Sequence, residues 1–338
     1  MRRLKGREGS TSIFALTLLV LVAAAAAGGV LILQAALSYV SRSSAREQIR
    51  LSLWKEGQRI VGLLASDPTP ASDSPLDPVW AGLSGSETPG MHTTLEDVSS
   101  RLNANWVQKS LFQETMFAEF LQPGRTAQDL QQRREDKGIT TDIASEYGDI
   151  IKEDALSRYF SGYCYANLNT TDEFALRKLY AIRMADQQGA EVFRTHWQQM
   201  MIQKKTLKRS EVRDFLGVDY GKLFPLMNAE PSFNVHFMDA LLLTQILSIA
   251  DLKIPKPAES AQLILGARDR SELTLDDLPR MIGAKDDNMI YQYLGVTTWF
   301  WKIIAARGVN RLEMIVARVP SDDGSAARFL VTEERYLP

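Results

Sequence analysis

The chain has 338 residues, with 39 Lys and Arg against 41 Asp and Glu, so its formal net charge is −2 at pH 7. Nothing in this near balance suggests a nucleic-acid-binding protein, and the one short basic run, from Lys204 to Arg209, fits an exposed loop or helix end. Cys164 is the single cysteine and excludes an internal disulfide, while His92, His196 and His236 lack zinc-ligand spacing.

The stretch from Ile13 to Val40 carries the strongest structural signal in the chain. It reads IFALTLLVLVAAAAAGGVLILQAALSYV and has Gln34 as its one strongly polar side chain. As a helix, its 28 positions would extend about 42 Å, more than the ~30 Å hydrocarbon layer of a bilayer. Four basic residues and one acidic residue precede it, which favours a cytoplasmic N-terminus by the positive-inside bias.

The helical pattern continues beyond this apolar stretch. From Ser44 to Ala65, apolar residues recur every three to four positions among charged ones, which predicts an amphipathic helix. We therefore predict one continuous helix that is apolar all round in its first half and one-sided in its second.

A linker and the first strand follow. Pro, Ser, Gly and Asp dominate from Asp67 to Gly90, which predicts a loop with one short strand near Val79 to Leu83. A strand is predicted around Thr93 to Val98. Asn105 is the predicted cap of a helix from Trp106 to Leu121.

From residue 106 to about 294 the pattern is helical almost throughout. The further predicted helices are Ala127 to Lys137, Glu153 to Phe160, Thr171 to Asp186, Ala190 to Met201, Ser210 to Leu216, Val235 to Ile249, Ala258 to Ala267, Leu275 to Ile282 and Asp287 to Leu294. Asn169 is the predicted cap of the helix that begins at Thr171.

An internal repeat lies within this helical block. Asn167 opens the stretch NLNTTDEFALRKLYAIR, and a similar stretch, NVHFMDALLLTQILSIA, opens at Asn234, 67 residues later. Two similar helical lobes are therefore predicted, over about residues 167–219 and 234–286.

The end of the chain changes to a strand pattern. The segments TTWFWKIIAA, RLEMIVARV and ARFLVTEERY alternate apolar and polar residues, with turns at Gly308 and Ser321, which predicts three consecutive antiparallel strands. These strands and the strand near Thr93 can form one sheet, with the helical block inserted between them. The amphipathic half of the first helix would pack on that sheet, since its apolar stripe needs cover.

The beginning of the chain resembles a type IV pilin signal. A basic leader, residues 1–9, ends in Gly9 directly before the apolar helix, and a prepilin peptidase cuts such leaders on the cytoplasmic side. The resemblance places the cut after Gly9 and makes Ser10 the mature N-terminus, with Gly6 as a second candidate. Loss of the leader would take the net charge from −2 to −5, because it removes four basic residues and one acidic residue. An ordinary uncleaved signal anchor stays open as an alternative.

Several later motifs resemble, in the same order, the K-type minor pseudopilins of type II secretion systems, the GspK family. These motifs are DVSSRLNANW from Asp97, NVHFMDALLLTQIL from Asn234, AQLILGARDRSELTLDDLPRMIG from Ala261, and the closing segments LGVTTWFWKI and RLEMIVAR. The resemblance implies an α+β fold of the type IV pilin-like kind, with a long N-terminal helix, a small antiparallel sheet and a large all-helical domain inserted between strands. The expected parts are the leader 1–9, the transmembrane and assembly helix 10–66, the linker and strand region 67–105, the inserted helical domain 106–294, and the closing strands 295–338.

The same resemblance implies a function at the cell envelope. It implies a minor pseudopilin at the tip of the periplasmic pseudopilus, which supports pseudopilus initiation and the export of folded proteins. The chain would cross the bacterial inner membrane once and hold its C-terminal domain in the periplasm. The implied partners are other minor pseudopilins in a heteromeric tip complex, the prepilin peptidase, the outer-membrane secretin and secreted substrates.

Six residues of the first helix are the candidate assembly residues. Phe14 stands at the fifth mature position, where pilins usually carry a glutamate, and a position without a partner subunit above it is better apolar, since an unpaired buried carboxylate is costly. Leu16, Leu19 and Leu33 are expected to pack against the equivalent helices of sister subunits. The pair Gly28 and Gly29 allows either close helix approach or a flexible point in an alanine-rich helix, and both interpretations stay open.

Enzyme chemistry is not predicted. The sequence has no G-x-S-x-G, H-E-x-x-H, P-loop or Rossmann fingerprint, so we expect no catalytic residue and no cofactor. Calcium is the one open possibility, because some GspK family members bind it. The acids that could hold it are Asp142, Glu146, Asp149, Glu153 and Asp154, although they lack EF-hand spacing and fit helix caps and solvated faces as well.

Two other functions remain open from the sequence alone. One is a single-pass, membrane-anchored envelope protein with a helical interaction domain. The other is a minor pilin of a type IV pilus rather than of a secretion pseudopilus. Both alternatives would share the N-terminal helix. Cleavage of the leader by a prepilin peptidase would distinguish the main hypothesis from the membrane-anchored envelope protein but not from the minor pilin.

Overall fold

A computed structural model describes residues 7–83, 85, 88–105, 118–203, 206–320 and 328–337, except for the side chains of residues 7–13 and 137. Most of the predicted helix from Trp106 to Leu121 therefore lies outside the described residues. The chain divides into two compact units, Met1–Lys55 and Glu56–Pro338.

Thirteen helices of the α type and ten strands are found in the described residues. The helices are α1 (Arg7–Ala65), α2 (Pro78–Leu83), α3 (Ala127–Lys137), α4 (Ile143–Tyr147), α5 (Glu153–Tyr159), α6 (Glu173–Met184), α7 (Gln187–Ile202), α8 (Val212–Leu216), α9 (Tyr220–Leu223), α10 (Ala240–Leu247), α11 (Pro257–Arg268), α12 (Asp277–Ile282) and α13 (Ile290–Tyr293). The strands are β1 (Met91–Asp97), β2 (Leu102–Asn103), β3 (Phe160–Ser161), β4 (Ala166–Asn167), β5 (Met227–Asn228), β6 (Phe233–Asn234), β7 (Leu294–Gly295), β8 (Phe300–Arg307), β9 (Asn310–Val319) and β10 (Arg328–Leu337).

Most of the first unit is a helix with an apolar surface. Helix α1 is the predicted continuous helix, and none of its side chains from Phe14 to Val40 is buried. Its most apolar 18-residue window has a mean hydropathy of 2.6. By length and composition, α1 can therefore cross a membrane.

The second unit is built on a four-stranded antiparallel sheet in the order β1-β8-β9-β10. Thr93 of β1 lies opposite Ala305 of β8, so two neighbouring strands of this sheet are separated in sequence by the whole helical block. The expected α+β fold, with a long first helix and a helical domain inserted between strands, is confirmed.

The last turns of α1 pack on this sheet, as the amphipathic pattern predicted. Ile60 and Leu64 are buried, and the Thr93 hydroxyl of β1 donates a hydrogen bond to Glu56 at 2.8 Å. The contact is close at Gly57, because a Cβ added there would overlap the Sδ of Met314 in β9. The part of α1 from Glu56 onward is thus part of the folded core.

The insertion forms three lobes, each closed by a two-residue parallel bridge. Strand β2 pairs with β3, β4 with β5, and β6 with β7. We call the enclosed segments lobe 1 (residues 104–159), lobe 2 (168–226) and lobe 3 (235–293). The stretches predicted as two lobes from the sequence repeat, about residues 167–219 and 234–286, overlap in sequence with lobes 2 and 3. Lobe 2 has a hydrophobic core of its own, whereas lobes 1 and 3 share one.

Two local predictions were wrong. Residues 79–83 were expected to form a strand, but they lie in α2, where Pro78 occupies the first helical position and suits it by its fixed φ. The residue expected to cap the helix near Thr171 was Asn169, but that cap is Asp172, which accepts a hydrogen bond from the Phe174 amide at 2.9 Å.

Asn105 and Asn234 also make long-range side-chain contacts; the helix that Asn105 is predicted to cap lies mostly outside the described residues, so that cap stays a prediction. The side chain of Asn105 bonds to Thr140, 35 residues away. Helix α10 was expected to begin at Val235 behind Asn234, but it begins five residues later, with Asp239 as its cap. Asn234 instead lies in β6, where its side chain makes long-range contacts.

Candidate functional site

Each lobe begins with the same polar contact, which we call the clasp. In lobe 2, the Oδ1 atom of Asn167 accepts a hydrogen bond from the Asn169 amide at 2.8 Å. The side chain of Asn169 then binds the backbone of Leu207 in the middle of the lobe. Its amide donates to the Leu207 carbonyl at 3.0 Å, and its Oδ1 accepts from the Leu207 amide at 2.8 Å. Both asparagines are buried.

Lobe 1 repeats this clasp. Asn103 accepts from the Asn105 amide at 2.8 Å, and the Asn105 side chain exchanges two hydrogen bonds with the backbone of Thr140, at 2.9 and 3.0 Å. The two clasps bring together residues that are 35 and 38 positions apart. They hold the middle of each lobe to its closing bridge.

Lobe 3 uses a histidine in the clasp. Asn234 accepts from the His236 amide at 3.0 Å, and the Nε2 atom of His236 accepts from the Leu273 amide at 3.0 Å. Nε2 also lies 3.4 Å from the Leu273 carbonyl, a contact that would need a proton on Nε2, and the shorter bond from the amide favours the tautomer in which Nε2 is unprotonated. Burial lowers the pKa of His236, which favours this neutral form, and within the described residues its Nδ1 has no hydrogen-bond partner.

A buried set of polar side chains lies where the lobes meet the sheet. We call it the hub; its members are Asp73, Asp97, Ser100, Asn234, Thr298 and Arg318, and each is at most 6% exposed. It joins the linker after α1, the end of β1, the start of lobe 3, the start of β8 and the end of β9. The hub thus connects segments that are distant in sequence.

Asp97 holds the loop that leaves β1. Its Oδ1 accepts from the amides of Ser99 and Ser100 at 2.7 and 2.9 Å, and its Oδ2 accepts from the Thr298 hydroxyl at 2.8 Å. These bonds satisfy a carboxylate that is removed from water, although burial still raises its pKa. Asp97 therefore fixes the point where the chain enters the insertion.

Asn234 connects lobe 3 to the linker. Its amide nitrogen donates to the Asp73 carbonyl at 2.8 Å and to the Thr298 hydroxyl at 3.0 Å. Its backbone amide donates to the Ser100 hydroxyl at 2.8 Å. One asparagine thus serves the clasp of lobe 3 and the hub together.

Arg318 and Asp73 form the charged part of the hub. Nη2 of Arg318 lies 2.6 Å from Oδ1 of Asp73, and Nη1 donates to the Pro70 carbonyl at 3.0 Å. The other Asp73 oxygen accepts from the Thr298 amide at 2.7 Å. Burial raises the pKa of Asp73 to about 7, opposed by Arg318 and by this amide.

The sequence analysis missed half of the hub. Asp97 and Asn234 were singled out within motifs, and Ser100 lies in the same DVSS stretch. Thr298 and Arg318 lie within the quoted closing segments LGVTTWFWKI and RLEMIVAR but, like Asp73, received no role, since each lies in a local context typical of a loop or strand end. A signal that could have indicated lobe 1 was the N-x-N pattern shared by Asn103 and Asn167.

The candidate assembly residues lie along one exposed helix rather than in a pocket. The exposed fractions of Phe14, Leu16, Leu19 and Leu33 range from 60% to 71%. A Cβ added at Gly28 or Gly29 would meet nothing within 4 Å. Gly9 and Ser10 lie in the first turns of α1, and their side chains are outside the described residues.

The acids named for calcium serve other contacts. Asp149 lies 2.8 Å from Arg133 and 3.2 Å from Arg125, and Asp142 accepts from the Ser145 amide as the cap of α4. Glu146 lies 3.7 Å from Arg133. Glu153 and Asp154 are in the first turn of α5.

A different acidic group lies in the linker. Ligand atoms of Asp67, Asp73 and Asp77 come within 4.8 Å of one another. Asp73 is already paired with Arg318, and Asp77 accepts from the Thr69 hydroxyl at 3.3 Å. Burial is the largest cause that raises the pKa of Asp77, to about 6.

Comparison with solved structures shows a likeness of fold. The chain is similar to a chain of the GspK-GspI-GspJ complex from the enterotoxigenic Escherichia coli type 2 secretion system, with 14% identity and a TM-score of 0.39, over 88% of this chain and 99% of that chain. No protein-family profile and no curated protein matches the sequence. At this identity and TM-score, function does not transfer from one chain to the other.

Proposed function

We propose that this chain is a minor pseudopilin of a type II secretion system, located at the tip of the periplasmic pseudopilus. It would support initiation of the pseudopilus and export of folded proteins. A single inner-membrane span would hold it before assembly, with the folded unit in the periplasm. Its partners would be other minor pseudopilins, the prepilin peptidase and, at the distal end, the secretin and exported proteins.

The observation that carries this proposal is that α1 is exposed and apolar over its first part but buried in a folded unit near its end. Its side chains from Phe14 to Val40 are all exposed and almost all apolar, whereas Ile60 and Leu64 near its end are buried in a folded unit. A membrane anchor needs only the first property. A helix that is also built into the core of its own domain transmits its position to that domain, as an assembly subunit requires.

The tip position is supported by Phe14 and by the size of the insertion. A phenylalanine at the proposed fifth mature position offers no charge to the N-terminus of a neighbouring subunit. The three lobes lie between β1 and β8 and extend the sheet domain by about 200 residues. A subunit with this bulk suits the end of a fibre better than its repeating interior.

The hub and the clasps would give the tip a fixed shape. They satisfy buried polar groups between the linker, the sheet and the lobes, and such fully bonded networks favour a single arrangement of the parts. A rigid cap can transmit the movement of a growing fibre to an exported protein. This proposal assigns the hub a mechanical role and no chemistry.

Processing of the N-terminus tests the proposal against a plain membrane anchor. When the chain is produced in cells with a prepilin peptidase, the membrane-bound form should begin at Ser10. Without the peptidase it should begin at Met1. An intact Met1 in the presence of the peptidase would favour a single-pass envelope protein, and Gly9→Ala, expected to block the cut, serves as the matched control.

A further inference from the structure

A row of arginines follows the apolar part of α1. Arg42, Arg46 and Arg50 are exposed and stand four residues apart on this continuous helix. Four residues turn a helix through about 400°, so the three side chains leave it within an arc of about 80°. Tyr39, which is 75% exposed, lies about one turn before Arg42 on the same side. We call Tyr39, Arg42 and Arg46 the arginine patch.

The charge of this patch is not compensated within the described part of the chain. Neither Arg42 nor Arg46 makes a hydrogen bond or an ion pair there. Arg50 lies 3.7 Å from Glu47, but both side chains are more than half exposed, and such a pair contributes little. Between residues 41 and 55, Glu47 is the one acid beside four basic residues. This stretch of α1 therefore presents a net positive charge to its surroundings.

The arginine patch lies where the apolar stretch of α1 ends. That stretch runs from Ile13 to Val40, and a hydrocarbon layer of ~30 Å needs about 20 of its residues. With the layer centred on the stretch, Tyr39 lies at the membrane interface, and the backbone of Arg42 lies about 8 Å beyond the hydrocarbon. The headgroup layer is about 5–8 Å thick on each side. Arg42 therefore leaves the helix at the outer edge of the headgroups.

The direction of helical side chains brings both guanidinium groups back toward the membrane. In an α-helix each Cα–Cβ bond is tilted toward the N-terminus, and in α1 this direction leads into the apolar stretch. A long arginine side chain covers the surface of the preceding turn and keeps its charged end in a polar layer. Arg42 and Arg46 can therefore reach the phosphate groups, and the ring of Tyr39 suits the same interface.

We propose that the arginine patch binds the headgroups of anionic phospholipids in the leaflet at the C-terminal end of the span. The guanidinium groups of Arg42 and Arg46 donate hydrogen bonds to phosphate oxygens, and the planar group can make two such bonds in parallel. Because both cations face one phosphate layer, a lipid with a net negative charge is bound more tightly than a zwitterionic one. That this leaflet is the periplasmic one rests on the proposed function.

Removal of the leader would make the arginine patch the main basic site beside the span. The leader carries four basic residues and one acidic residue, and a cut after Gly9 removes all of them. The positive charge of α1 then lies at the end that leads into the folded unit. The contacts of Arg42 and Arg46 with lipid would be the charged contacts that α1 gives up when it leaves the bilayer for a fibre.

Lipid capture next to the patch tests the proposal. The full chain carries a photocrosslinking amino acid at Ser38, which is exposed about one turn before Arg42 on the same side. It is reconstituted in bilayers of equal parts phosphatidylglycerol and phosphatidylcholine, and mass spectrometry gives the ratio of the two lipids crosslinked to position 38. Phosphatidylglycerol should be captured about fivefold more often than phosphatidylcholine, because arginines near the surface attract the anionic headgroup.

Two double variants with the same change in net charge locate the effect. Arg42→Gln with Arg46→Gln should bring the ratio to about one, and both positions are exposed, so the fold is retained. Arg328→Gln with Arg335→Gln is the matched control, because both arginines are exposed on β10, outside α1. The control should keep the preference for phosphatidylglycerol.

Three results would overturn the proposal. They are equal capture of the two lipids by the unmodified patch, a preference that survives the change of Arg42 and Arg46, and an equal loss of preference in the β10 control. Association with sister pseudopilins, measured in the same bilayers, separates this failure from a failure of the proposed function. Intact association without any lipid preference would sink the lipid assignment alone, whereas a lipid preference without association would sink the proposed function alone.

Discussion

Arg318 and Asp73 form an ion pair almost wholly removed from water, with 2.6 Å between Nη2 and Oδ1 and side-chain exposures of 3% and 4%. The pair joins the end of β9 to the linker that follows α1. Because removal of either charge would leave the other buried and unpaired, this pair is one of the contacts that tie the linker to the sheet.

Replacement of Arg318 by an uncharged residue should lower the unfolding free energy of the protein. At pH 8, above the raised pKa of Asp73, Arg318→Met leaves a buried carboxylate beside Asp97 without its partner, and we expect a loss of about 3–5 kcal/mol in unfolding free energy. Denaturant unfolding of the full chain in detergent, followed by tryptophan fluorescence, measures it. Lys256→Met, which breaks the exposed pair with Glu259, should cost under about 1 kcal/mol. A similar loss for both variants would mean that the hub does not anchor the linker.

The raised pKa of Asp73 predicts a pH dependence of stability. The folded state holds this proton up to about pH 7, whereas the unfolded carboxyl releases it near its model value of 3.8. The contribution of Asp73 is therefore fully present below pH 3.8 and is lost as the pH rises through about 7. Asp73→Asn should flatten the curve of unfolding free energy against pH across that window. An unchanged slope in this variant would contradict the assignment.

The histidine in the clasp of lobe 3 predicts the opposite trend. Burial lowers the pKa of His236 in the folded state, so its contribution is full above the unfolded value of 6.5 and falls as the pH drops below it. His236→Asn should keep the clasp, because the side chain of Asn169 makes the equivalent hydrogen bonds to the backbone in lobe 2. Thermal unfolding at pH 5 and pH 8 should show that the unfolding temperature falls less between pH 8 and pH 5 in the variant than in the unmodified protein. Identical acid sensitivity would place the titrating group elsewhere.

Two glycines of α1 form a matched pair. Gly57→Val should destabilise the folded unit by about 1–3 kcal/mol, because the new side chain would collide with Met314 in the core. Gly62 has nothing within 4 Å of an added Cβ, so Gly62→Val should change stability by less than about 1 kcal/mol. Thermal unfolding of both variants tests whether α1 packs on β9. Equal effects would mean that it does not.

The sequence indicated the parts of the fold that local patterns encode. Helix α1 and strands β8, β9 and β10 follow from charge, periodicity and turns. The helical pattern predicted α3 with the bounds found, and the structure adds a capping box of Thr126 and Asp129 at its start. The helix at Pro78 was misread as a strand because a short apolar run fits either structure.

Side-chain contacts between residues that are far apart in the sequence could not be predicted from local patterns. Asn105, Asn169 and Asn234 carry the local signature of helix caps, but their side chains reach partners that only the folded chain brings near. Asp73 and Arg318 are 245 positions apart, so no local pattern relates them. The candidate assembly residues were predicted from one helix, and the contacts proposed for them would be with other chains.

The central claim is that the exposed apolar half of α1 contacts sister subunits. A photocrosslinking amino acid at Leu33, which is 60% exposed on this half, tests it most directly in membranes that contain all minor pseudopilins. The same group at Val218, fully exposed on lobe 2, is the control. We predict a crosslink from position 33 to the N-terminal helix of another pseudopilin, identified by mass spectrometry. Crosslinks to lipid alone at position 33 would contradict the account.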